Sequence, residues 1–113
     1  MPDKTTLDQS TFEIVFFKIK EDATHEQLVA AAVGVSKWAK QQPGFIDRKL
    51  VQSADGESYV ELVRWSSLDN ALKAAELSYS STDCAPMFAL IQMDDMKFFH
   101  AKSVIETYAG VDA

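Results

Sequence analysis

The sequence predicts an α+β domain whose elements run β-α-β-β-α-β. Three observations carry that order. Four stretches alternate or run apolar as strands do, two have apolar residues at helical spacing, and those two follow the first and third strands. The chain of 113 residues suits one domain with one core, and 47% apolar with 25% charged residues is ordinary for a folded protein.

FEIVFFKIK, Phe12 to Lys20, is expected to be the first strand, with Ile14 and Phe16 on one face and Val15, Phe17 and Ile19 on the other. A strand apolar on both faces is covered on both. The helix THEQLVAAAVGVSKWAKQQPG follows, opened by a capping box of Thr24 and Gln27. Its stripe is Leu28, Ala31, Ala32, Val35 and Trp38 or Ala39, and Pro43-Gly44 ends it.

FIDRKLVQS is the second strand, and Asp55-Gly56 turns it into the third, YVELVRW. Ser66 or Ser67 caps a helix running to Leu77, with Leu68, Ala71, Leu72 and Ala75 expected inward. SYSSTDCAP breaks that helix, and PMFALI forms a turn or two. MKFFHAKSV is the fourth strand, with Met96 and Phe98 opposing Phe99 and Ala101. This is the ferredoxin-like arrangement, a four-stranded antiparallel sheet covered on one face by two helices. The domain is expected over 12–104, with tails at 1–11 and 105–113. Two helices leave one apolar sheet face bare, so a homodimer packed through the face opposite the helices is expected.

The net charge is −6, with no cluster of Lys and Arg to meet phosphates, so neither nucleic acid nor an anionic membrane is an expected partner. The single cysteine, Cys84, permits no internal disulfide and no Cys-based zinc site. No apolar run is long enough to span a bilayer, and MPDKTTLDQS has no apolar signal core, which points to the cytoplasm.

QPGFIDRKL, VRWSSLDNALKAA and FFHAK together resemble the dimeric α+β barrel superfamily, with the closest likeness to its antibiotic biosynthesis monooxygenase-type domains. The resemblance spans roughly residues 12–104 and implies pairing as a dimeric α+β barrel. It also implies a range of activities, from cofactor-independent oxygenation of aromatic polyketides to haem degradation, as well as proteins with no known activity. In haem-degrading members the Trp that closes strand three lies in the pocket, and Trp65 matches it. Those members also carry an iron-ligating His on the next helix, whereas DNALKAAELSYSS has none. Neither cofactor nor metal is therefore expected.

Because side chains alternate along a strand, Tyr59, Glu61, Val63 and Trp65 share a face, and Trp65 implies that this face meets the helices. A partly desolvated Glu61 is a candidate proton carrier. The structural alternative pairs it with Arg48, Lys18 or Lys49. His100, on the face of Met96 and Phe98, is the second catalytic candidate, although a His among apolar neighbours is more often satisfied by a structural partner. In the expected strand order the first strand separates the two by roughly 10 Å, a gap for a ligand or water to bridge. Tyr59, Trp65, Phe16, Phe98 and Tyr79 are the expected substrate contacts.

Two function classes fit. One is an enzyme, a cofactor-independent monooxygenase-like protein that orients a small apolar or aromatic metabolite and moves one proton. The other is a non-catalytic dimer that binds a metabolite or only assembles. An enclosed cavity on which Glu61, Tyr59 and Trp65 converge favours the first, and a space filled by Phe and Met favours the second.

Overall fold

The computed structural model describes residues 7–110; the outer parts of both expected tails, 1–6 and 111–113, lie outside the described residues. The fold is ferredoxin-like. Strand β1 (Thr11–Phe17) leads to helix α1 (His25–Ala39), β2 (Phe45–Gln52) and β3 (Tyr59–Trp65). Helix α2 (Leu68–Ser78), the short α3 (Ala85–Phe88) and β4 (Lys97–Lys102) complete it. The antiparallel sheet has the order β2-β3-β1-β4.

The caps form as the sequence predicts. Thr24 accepts the Gln27 amide while the Gln27 side chain takes the Thr24 amide, and Ser67 caps α2 by accepting the Asn70 amide. Gly44 ends the α1–β2 connection at φ +83°, and a Cβ there would collide with Asn70 and Ser66, so only glycine fits. Gly56, at φ +78°, serves the β2–β3 turn.

Some strand ends and one helix face differ from expectation. The first strand stops at Phe17, because the chain turns away to bridge Ile19 with Ile91. The fourth covers only Lys97–Lys102. In α2 the inward residues are Ala71 and Ala74, while Leu68 and Leu72 are each 49% exposed. The helix turns its small residues to the sheet, which brings the backbones close. The part of the expected tail that is described is also held in place: the Asp8 carboxylate accepts from Ser10 and from Arg64 Nη1 at 2.6 Å.

The main core lies between sheet and helices, around Phe17, Leu28, Tyr59, Met87 and Ile91. Trp65, Val63, Ala71 and Ala74 form a second cluster toward the other end of β3. The opposite sheet face carries Phe16, Leu62 and Phe99, of which Leu62 is 38% and Phe99 50% exposed. Arg64 lies on this outer face in ion pairs with Asp8 and Asp47. Among the described residues no helix is long and apolar enough to cross a membrane.

Candidate functional site

A cavity of about 90 Å³ lies between the sheet and helices α1–α3. Most of its wall is apolar, with Val63, Trp38, Met87 and Phe88 prominent, and Tyr79, Met93 and Phe98 toward β4 and the loops. The polar exceptions gather on the sheet side: Glu13 from β1, Arg48 from β2 and Glu61 from β3.

Glu61 and Arg48 form a buried ion pair, with side chains 11% and 6% exposed. Arg48 also donates from Nη1 to the Ala32 carbonyl at 2.8 Å and to Ser36 Oγ at 2.6 Å, and its Nη2 lies 3.6 Å from Met87 Sδ. The guanidinium thus ties β2 to α1 and α3. Its inward direction comes from a bulge: Phe45 pairs with Trp65 and Asp47 with Arg64, so one extra residue, Ile46, flips the alternation. Simple alternation from an inward Phe45 would have sent Arg48 to the other face. The sequence offered three cations for Glu61, and the bulge selects Arg48.

The carboxylate that sequence reasoning missed is Glu13. It sits opposite His100 in the β1–β4 register, and His100 Nε2 lies 3.2 Å from Glu13 Oε1. Both side chains are 13% exposed. Burial first, then the negative charge of Glu61, pushes the Glu13 carboxyl up to about 7, against smaller opposing effects of Arg48 and the Trp65 indole. Burial also pushes His100 below its ordinary value. Both shifts disfavour the charged form, so the pair is held toward a neutral carboxyl beside a neutral imidazole. The signal in FEIVFF was its parity: Glu13 shares the face of Val15 and Phe17, where a charge is out of place.

The expected residues divide. Glu61, Trp65, Phe98 and Tyr79 line the cavity. His100 stands behind Glu13, with its ring edge-on to Phe98 at 5.1 Å. Glu61 and His100 are separated by β1 as expected, and Glu13 occupies the gap between them. Two residues lie elsewhere. Phe16 points to the outer sheet face, because it alternates with Val15 and Phe17. Tyr59 faces inward but belongs to the core at the far end of β3, stacked on Phe17, its hydroxyl 2.8 Å from His25 Nδ1.

The Trp65 indole is 3% exposed, and its Nε1 makes no hydrogen bond of normal geometry among the described residues, although it lies close enough to Glu13 to favour the charged carboxylate. An unpaired buried N–H carries a desolvation cost that a ligand oxygen would relieve. Cys84 is fully buried, and burial raises its thiol pKa, which leaves it a poor nucleophile. Among the described residues no three His, Cys, Asp or Glu side chains converge as metal ligands.

A four-stranded antiparallel sheet covered on one face by helices places the chain among small ferredoxin-like α+β proteins. Within that class the chain is similar to SnoaB, a cofactor-independent oxygenase from Streptomyces nogalater, at 15% identity and a TM-score of 0.65, covering 92% of this chain and 100% of that one. It is similar to the monooxygenase ActVA-Orf6 of Streptomyces coelicolor, solved with nanaomycin D, at 23% identity and TM-score 0.65, covering 89% and 93%. A dimeric ferredoxin-like protein of unknown function from Jannaschia sp. CCS1 matches at 9% identity and TM-score 0.64, covering 83% and 99%. No family model matches the chain, and no curated protein matches it in sequence. At these identities the likeness establishes the fold.

Proposed function

We propose that the chain is a cofactor-independent oxygenase of the monooxygenase-like kind, working on a small apolar or aromatic metabolite held between sheet and helices. The observation that carries this is the buried Glu13–His100 pair beside an apolar cavity, with Glu13 pushed up to about 7. A carboxyl poised near neutrality is suited to general-base work. Glu13 takes a proton from an activated CH2 group of the substrate, and His100 holds or relays it. The resulting carbanion donates an electron to dioxygen, and a hydroperoxide forms at that carbon. Loss of water then leaves a carbonyl. The carbon gives up four electrons, dioxygen accepts four, and its two atoms end in the carbonyl and in water. The Trp65 N–H, near Glu13 but without a hydrogen bond of normal geometry among the described residues, offers a donor to a substrate oxygen.

The test is oxygen uptake by the purified protein with phenols that bear an activated CH2 group. Enzyme-dependent uptake with one water formed per carbonyl supports the proposal. The small cavity favours a second reading, a non-catalytic binding dimer, which would take up ligand with no oxygen consumption.

The proposal includes a homodimer through the outer sheet face, since Phe16, Leu62 and Phe99 form an apolar surface there. A charge placed in such an interface leaves a desolvated, unpaired group. Leu62→Lys is expected to convert the dimer to monomer in native mass spectrometry, and a dimer that survives it would place the interface elsewhere. The cytoplasm, where the Cys84 thiol stays reduced, is the compartment that this reading assumes.

A further inference from the structure

Ligand size and charge both follow from how the cavity is closed. Its volume is about 90 Å³. An apolar protein cavity of about 150 Å³ holds one benzene ring. This cavity is about two-fifths smaller, so even a single ring enters only where the wall gives way, and a fused pair of rings overfills it further. The sheet side cannot retreat easily, because Arg48 is fixed by Ala32, Ser36 and Glu61 at once. On the helix side Ala74 and Ala75 bring α2 close. Give is available near Tyr79 and Phe98, which are 73% and 41% exposed.

Charge narrows the class further. The cation at the cavity wall, Arg48, is already engaged by Glu61 and two α1 oxygens. Glu13 and Glu61 present two carboxyls on the same wall. An anionic ligand entering there loses its hydration and finds no free cation among the described residues of the wall. A neutral hydroxyl instead finds an acceptor in Glu13.

We infer that the cavity selects a neutral, single-ring phenol, hydroxyl toward Glu13, and rejects fused polycycles and arenecarboxylates. The inference rests on reading the cavity as the ligand site. The experiment is competitive ligand-observed NMR with phenol, 1-naphthol and benzoate on the intact protein at neutral pH. Phenol is expected to bind at least tenfold tighter than either competitor. Phe98→Ala, which opens the exposed side, is expected to improve 1-naphthol binding severalfold while benzoate stays weak. Wild-type protein that prefers 1-naphthol would overturn the size argument and leave the oxygenase proposal to the oxygen-uptake test. Benzoate binding as well as phenol would overturn the charge argument. If none of the three binds, the ligand-site reading falls together with this inference.

Discussion

Replacing Arg48 by Met is expected to destabilise the fold by about 3–5 kcal/mol, the range for removing one partner of a buried ion pair. The Met side chain keeps much of the volume but supplies no charge. Glu61, 11% exposed, would then be a buried carboxylate without a partner, and the Ala32 carbonyl and Ser36 would lose a donor. Urea unfolding measures the loss. The double variant Arg48→Met with Glu61→Leu is expected to recover most of the loss, since paired replacement of a buried ion pair by apolar groups is often neutral. If the double variant is as unstable as the single one, the tie from β2 to α1, and not the stranded charge, is what matters.

Glu13→Gln is expected to stabilise the protein in alkaline solution while abolishing oxygen uptake. The Glu13 carboxyl is carried from 4.5 to about 7, so the folded state holds its proton more tightly than the unfolded chain does. Its contribution to stability is complete below about 4.5 and is lost as pH rises through about 7. Shifts of this size are worth roughly 3 kcal/mol at most. The wild type should therefore lose stability across that window, and Glu13→Gln should not. Above pH 8 the variant should be the more stable by about 1–3 kcal/mol. His100 acts in the opposite sense, because its lowered pKa costs stability as pH falls, and that acid limb should remain in the variant. Thermal unfolding between pH 4 and 9 gives the profile, and oxygen uptake of the same samples gives the activity. A site that sacrifices stability for function predicts a gain in one and a loss in the other. A stabler variant with full oxygen uptake would remove Glu13 from the chemistry.

Much of the fold was legible in the residues alone. Thr24 and Gln27, Ser67, Pro43-Gly44 and Asp55-Gly56 are local signals, and local hydrogen bonding and backbone sterics act on them wherever the chain goes. The period-two pattern of YVELVRW put Glu61 and Trp65 on the helix-facing side, and the two apolar faces of FEIVFF marked a sheet with both sides to cover. Leu68 and Leu72 misled, because helical periodicity identifies an apolar stripe but does not say which of two neighbouring stripes the sheet will accept.

The sequence by itself thus determined the elements, their order and the inward face of β3, since each depends on spacing within one segment. Only the tertiary structure decided the chemistry of the wall. One bulged residue, Ile46, turned Arg48 inward to claim Glu61. Strand order placed Glu13 beside His100, 87 positions away in the chain, and burial then pushed the carboxyl up and the imidazole down. Strand register and desolvation arise from contacts between distant segments, so no window of sequence contains them.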